Sequence, residues 1–265
     1  MPGTPHQCWT LIILKTPMPR IKICCIRSIE EANLAIGSGA SALGFVSAMP
    51  SGPGVIDEML IAEIIRTVPP AVATFLLTSR QVADAIIEQQ QRCRANTLQL
   101  VDHVAEGELI RLRRALPGIA LVQVIHVSGL ESIDEACAIA PHVDAILLDS
   151  GNQKLAVKEL GGTGRIHDWT ISRKIRAQCG RPMFLAGGLR AENVQDAIER
   201  VRPFGVDICS GVRNEGKLDE SKLRAFVAAC CAPLSRNTAR LYRGILRASI
   251  AEYCAPPSRR SGIHE

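Results

Sequence analysis

From about residue 20 the chain alternates between two textures. Short, continuous apolar runs fall at Ile21–Ile26, Ala42–Val46, Thr74–Leu77, Thr97–Val101, Ala120–Ile125, Val143–Leu148, Met183–Ala186 and Val206–Cys209. Runs that do not alternate with polar residues suit strands buried on both faces of a parallel sheet. Between them lie amphipathic stretches at Ser28–Gly37, Asp57–Thr67, Ser79–Arg92, Glu106–Ala115, Glu131–Ala140, Asp168–Gln178, Ala191–Arg200 and Asp219–Ala229. Ser28 with Glu31, and Ser132 with Glu135, read as capping boxes that start two of these helices. Eight strand–helix units predict a single α/β domain, a TIM-type (β/α)8 barrel. A doubly wound open sheet is the alternative, because the pattern does not reveal closure. Its dinucleotide-binding form is disfavoured, since no Gly-x-Gly-x-x-Gly follows the first run.

Composition sharpens the picture. Of 265 residues 47% are hydrophobic and only 3% aromatic, which fits a barrel interior filled by branched aliphatic side chains. The net charge of +5 is mild, and much of the excess lies in the tail, at Arg236, Arg240, Arg243, Arg247, Arg259 and Arg260. Neither a nucleic-acid footprint nor a membrane partner is expected from it. The ten cysteines are scattered or directly adjacent, with no Cys-x-x-Cys spacing. A reduced, cytoplasmic protein without a zinc site is expected. The organisation predicted is a leader at 1–19, untrimmed or disordered, a barrel at 20–231, and a basic tail at 232–265 that is helical or disordered. The apolar run Trp9–Leu14 is too short to span a bilayer. Nothing decides between a monomer and a homodimer.

In a barrel, chemistry sits at the C-terminal ends of the strands. That rule nominates Cys24 and its neighbour Cys25 after the first strand, Gln99 on the fourth, His126 on the fifth and Asp149 on the sixth. Gly187 and Gly188 follow the seventh strand, and Ser210 and Gly211 the eighth. Glycines at these last two ends let backbone approach a ligand closely, and the loops after strands 7 and 8 are where barrels commonly hold phosphate. Read alone, these glycines equally fit tight turns, Cys24 a small buried hydrophobe, and Asp149 a cap. Regular alternation puts Lys22 on the same face as Cys24. The six histidines form no ligand cluster, so no metal is expected.

Four segments in register carry a resemblance. Lys22-Ile-Cys24, Gly161-Gly-Thr-Gly-Arg-Ile-His-Asp-Trp169, Leu185-Ala-Gly-Gly-Leu-Arg-Ala-Glu-Asn-Val194 and Gly205-Val-Asp-Ile-Cys-Ser-Gly-Val212 resemble the phosphoribosylanthranilate isomerase family, over residues 20 to 230. Leu147-Leu-Asp-Ser150 adds the family's sixth strand end. The resemblance implies a barrel enzyme of tryptophan biosynthesis that carries out a cofactor-free Amadori rearrangement on a small phosphorylated sugar. It implies Cys24 as general base and Asp149 as general acid. Phosphate binding falls to Gly187, Gly188, Ser210 and Gly211, with Lys22, Gln99, His126 and Asp207 as weaker substrate contacts.

Three departures surround the same pocket. The family's Lys-Ile-Cys-Gly becomes Lys22-Ile-Cys-Cys25. Its Ser-Pro-Arg-Tyr-Val loop becomes Gly52-Pro-Gly54-Val-Ile56, so a substrate-binding arginine is replaced by Gly54. Its Gln-Leu-His-Gly becomes Gln99-Leu-Val-Asp102. These departures keep open a paralogous isomerase, or a phosphosugar-binding protein, with a different substrate.

Overall fold

In the computed structural model, which describes residues 18–151, 160 and 164–232, the apolar runs lie side by side and close on themselves. The strands are β1 (Arg20–Ile23), β2 (Ala42–Val46), β3 (Ala73–Thr78), β4 (Thr97–Leu100), β5 (Ala120–His126), β6 (Ala145–Asp149), β7 (Met183–Leu185) and β8 (Gly205–Ile208). They are all parallel, in sequence order, and β8 pairs with β1 in the register Ile21↔Val206 and Lys22↔Asp207. The open-sheet alternative is thereby excluded. The helices between and after them are α1 (Ile29–Gly37), α2 (Glu58–Ile65), α3 (Ala83–Cys93), α4 (Glu106–Ala115), α5 (Glu131–Ile139), α6 (Trp169–Cys179), α7 (Val194–Val201) and α8 (Glu220–Cys231).

Burial on both faces accounts for the unbroken apolar runs. One parity of each strand, with Ile23, Leu43, Leu76, Leu98 and Leu148 at 0% exposure, is sealed beneath the helices. Each such side chain contributes roughly 1.5–3 kcal/mol relative to exposure. The other parity fills the interior with Phe75, Leu77, Val122, Val124, Leu147 and Phe184. Phe75 and Phe184 meet edge to face from opposite walls, with ring centroids 5.7 Å apart.

Helix starts follow local chemistry. Asp57, Asp168 and Asp219 each accept a hydrogen bond from a backbone N–H of the first turn. Ser28 caps α1 by accepting from Glu31 N at 3.2 Å, but Glu31 does not complete the box. Its carboxylate accepts from Arg27 N and from Arg213 instead. The second expected box is not formed. Helix α5 begins at Glu131, ahead of Ser132, whose buried hydroxyl accepts from Ser128 N at 3.1 Å. After β8 a two-stranded hairpin, β9 (Arg213–Asn214) with β10 (Lys217–Leu218), turns through Glu215 and Gly216, both at positive φ. Almost all of the leader and tail, and the first three residues of Gly161–Gly164, lie outside the described residues. Among the described residues no helix is long and apolar enough to cross a membrane.

Candidate active site

A cavity, partly open to solvent, lies at the C-terminal ends of the strands. Cys24 from the end of β1 and Asp149 from the end of β6 both line it, with Gln99, Asp207, Gly187, Gly188 and Ser210. Asp149 accepts from the Ser150 N–H at 2.7 Å, which turns the carboxylate at the strand's last residue.

Beneath the cavity is a buried ion pair. Register places Lys22 opposite Asp207, and Lys22 Nζ lies 2.8 Å from Asp207 Oδ2 with the lysine fully buried. The ammonium also sits over the Phe75 ring, 5.2 Å from its centroid. Burial disfavours the lysine's charge, but the attraction of Asp207, followed by that of Cys24, outweighs it and holds Lys22 above its ordinary value. Burial is also the largest influence on Asp207; it holds the carboxyl above its usual range against the Lys22 charge, and Asp149 adds to it. Asp207 Oδ1 and Gln99 Oε1 are buried without a hydrogen-bond partner. Both residues line the cavity, so these oxygens are sites at which a ligand hydroxyl could be received.

The inward face of β2 makes room for this arrangement. A Cβ on Gly44 would stand 2.8 Å from Cys24 Sγ and 3.0 Å from Lys22 Nζ. No motif had marked Gly44, and its role is visible only once β1 and β2 are paired.

The departures at 25 and 54 turn out to be one structural event. Cys25 adopts φ 63°, the left-handed region that costs an L-residue about 1–2 kcal/mol and that a glycine enters freely. Gly54 is also left-handed, at φ 81°, and a Cβ on it would lie 2.5 Å from Cys25 Cβ. Only one of the two positions has room for a side chain. The Cys25 thiol donates to the Pro53 carbonyl at 3.6 Å and lies 2.6 Å from Cys209 Sγ, at the end of β8. Arg213 pins the segment: its guanidinium donates to the carbonyls of Cys24 and Cys25 while paired at 2.9 Å with Glu31. Burial works against the Arg213 charge, yet Glu31 holds it above its ordinary value.

On the β7–β8 side of the cavity three loops converge. Gly187 and Gly188 are both left-handed and pack on residues 164–167, while Gly164 faces the Ser210 hydroxyl. Gly211 stands behind this wall, against the Leu189 carbonyl, and is absent from the cavity lining. His167 is buried here; its Nε2 is 2.8 Å from Ser172 Oγ and its Nδ1 has no partner. Burial pulls its imidazole below the ordinary value, against the opposing carboxylates of Asp149 and Asp168. Lys22 lies below the cavity rather than in its lining. His126 is likewise buried outside the lining, with Nε2 3.0 Å from the Val101 carbonyl. Parity put Lys22 on the inner face, but its depth along the barrel axis, which parity does not give, keeps it from the cavity; His126 stands in register with Asp149 at the cavity's level, yet its ring is directed at the Val101 carbonyl. Sequence reasoning did not single out His167 or Arg213. Among the described residues no three His, Cys, Asp or Glu side chains are grouped to hold a metal.

A closed barrel that brings a thiol, a carboxylate and glycine-rich loops together above its strands defines an enzyme class, the (β/α)8 barrels acting on small molecules. Comparison with known proteins gives the particular case. The family model described as N-(5'phosphoribosyl)anthranilate (PRA) isomerase matches residues 21–229. N-(5'-phosphoribosyl)anthranilate isomerase 2 of Methanosarcina mazei is 37% identical over 210 residues, covering 78% of this chain and 92% of its own. The Haloferax volcanii isomerase is 35% identical, covering 80% and 93%. Among solved structures, the isomerase from Thermotoga maritima superposes with TM-score 0.70 at 29% identity, covering 81% and 99%. An isomerase solved in complex with reduced 1-(o-carboxyphenylamino)-1-deoxyribulose 5-phosphate gives 0.68 at 27%, with the same coverage. The chain belongs to the phosphoribosylanthranilate isomerase family, and its activity is that family's aldose–ketose rearrangement in tryptophan biosynthesis.

Proposed function

We propose that Cys24 and Asp149 are the base and acid of this rearrangement. The observation that carries the reading is their meeting in one cavity from β1 and β6, with glycine loops as the wall between. Asp149 protonates the furanose ring oxygen of phosphoribosylanthranilate, the C1–O bond breaks, and the anthranilate nitrogen's lone pair forms the iminium. The Cys24 thiolate then removes the C2 proton, its electrons form the C1–C2 double bond, and the iminium collapses to an enolamine. Proton return to C1 gives the aminoketose. Electrons and protons balance within substrate and enzyme, and no cofactor enters.

Gly187, Gly188 and Ser210 are the proposed phosphate cradle, with Gly211 giving the β8 turn its close packing. The reduced analogue bound in the solved relative carries a phosphate and a carboxyphenyl group, which is the ligand class proposed for this cavity. Gln99 and Asp207 offer their unpartnered oxygens to sugar hydroxyls. Lys22 acts from below, as the counter-charge to Asp207 that is also coupled to Cys24. His126 shapes the β5 end without lining the cavity. The free thiols at Cys24, Cys25 and Cys209 fit a reducing, cytoplasmic setting. The test follows loss of anthranilate fluorescence with freshly made phosphoribosylanthranilate. Turnover by the native chain that collapses in Cys24→Ala and Asp149→Asn supports these roles, and turnover retained in either variant removes that residue from its role.

A further inference from the structure

Beside the base lies a pair of sulfurs for which the rearrangement has no use. Cys25 Sγ and Cys209 Sγ are 2.6 Å apart, at the ends of the two strands that close the barrel, and both line the cavity. A disulfide places its sulfurs about 2.05 Å apart, so bond formation asks for a movement of only about half an ångström. The geometry is held rigidly. Arg213 clamps the Cys25 carbonyl, and Cys25 is fixed in a left-handed conformation that aims its side chain between Pro53 and Cys209.

We propose that Cys25 and Cys209 form a reversible disulfide with small aliphatic disulfides such as oxidised glutathione, and that this bond weakens substrate binding in the cavity beside Cys24. The gating half rests on the reading of that cavity as the active site. The electrostatics favour one order of events. The hydrogen-bonded contact with Cys25, and then the Arg213 charge, hold the Cys209 thiol below its ordinary value against burial. The bond to Cys209, contact with Cys24, and burial push Cys25 up. Cys209 is also the less buried of the two, so it is the sulfur an incoming disulfide meets and the attacking thiolate. It displaces one thiolate from the small disulfide to give a mixed disulfide. Cys25 then attacks the Cys209 sulfur, the second small thiol leaves, and it takes the Cys25 proton. Two cysteine sulfurs are oxidised and the small disulfide is reduced to two thiols. In the product Cys25 has no hydrogen to give the Pro53 carbonyl, so the loop Ser51–Gly54 loses that tie to β1.

Trypsin cuts after Lys22, Arg27, Arg200 and Arg213, which places Cys25 in Ile23–Arg27 and Cys209 in Val201–Arg213. The full chain is incubated with oxidised glutathione, digested without reductant and weighed, while turnover is followed in parallel. The expected result is the two peptides joined, and KM raised about fivefold, the worth of one hydrogen bond. Both changes should reverse with dithiothreitol. The Cys24→Ser chain still joins, whereas Cys25→Ser and Cys209→Ser do not join, and their KM is insensitive to glutathione. Unjoined peptides in the native chain, joining lost in Cys24→Ser, joining kept in Cys25→Ser, or joining with unchanged KM would each overturn the proposal. Joining is read by mass and needs no activity. Absent turnover in the reduced chain therefore counts against the active-site reading, and absent joining against this one.

Discussion

The two walls of the cavity follow different rules. On the β7–β8 side, Gly187 and Gly188 stand at positive φ, and backbone packs tightly on backbone. On the β1–β2 side, a cysteine stands where the family has glycine, and a glycine where it has arginine. The structure shows why these two exchanges belong together. The space between positions 25 and 54 accepts one side chain, and this chain fills it from β1. The first wall is set by backbone conformation, the second by which of two facing positions carries a side chain. With Cys25 present, a side chain at position 54 has no room.

The largest expected effect tests whether the two walls share one reaction. Cys24→Ala and Asp149→Asn should each lower kcat by about 10²–10⁴-fold, the range for positioned acids and bases, with KM far less affected. Equal losses in KM and kcat would place either residue in binding instead.

Next comes the exchange itself. Gly54→Arg alone should destabilise the fold by roughly 2–4 kcal/mol, from a left-handed arginine and its collision with Cys25. Cys25→Gly with Gly54→Arg should recover most of that loss, leaving a coupling of about 1–3 kcal/mol in a thermodynamic cycle by denaturant titration. Additive losses would mean the two positions are independent. In the double variant, KM for phosphoribosylanthranilate should also fall, because a guanidinium reaches the substrate's carboxylate.

Cys25→Gly alone should move stability by less than about 1 kcal/mol. Relief of the left-handed strain, roughly 1–2 kcal/mol, is offset by lost burial and by glycine's greater unfolded freedom. A change above 2 kcal/mol in either direction would show that one of these terms had been misjudged.

The smallest effect lies on the other wall. The folded chain holds His167 below its ordinary value, so the unfolded chain binds the proton first, near pH 6.5. Stability should therefore decline as pH falls below about 6.5, and His167→Phe should show a flatter melting temperature between pH 7.5 and 5.5. Equal slopes for the two proteins would assign the decline to other groups.

Much of this was legible in the residues. Continuous apolar runs betrayed eight doubly buried strands, and strand ends nominated Cys24, Gln99, Asp149, Gly187, Gly188 and Ser210, which the structure gathers around one cavity, along with His126 and Gly211, which it leaves outside the lining; Asp207, which also lines it, came from the resemblance. Other features depend on contacts that no local pattern records. The exclusion between Cys25 and Gly54 spans two loops, and the Arg213 clamp reaches across the barrel seam. The Ser132 box failed because Ser132 turns inward to Ser128 once α5 has already begun. Lys22 shows the limit of parity, which gives the face of a strand but not the depth at which a side chain ends.

Gly44 carries a consequence for how such a chain can change over generations. A glycine codon mutates in one step only to residues that bear a Cβ, and every one of them would press on the sulfur of Cys24. The position is therefore hostage to its neighbour on β1: as long as Cys24 stays, each single-step descendant at 44 displaces the sulfur it faces. Giving up the thiol would not by itself release position 44, because the Lys22 ammonium at 3.0 Å and the backbone of residue 24 at 3.2 Å still face the same Cβ.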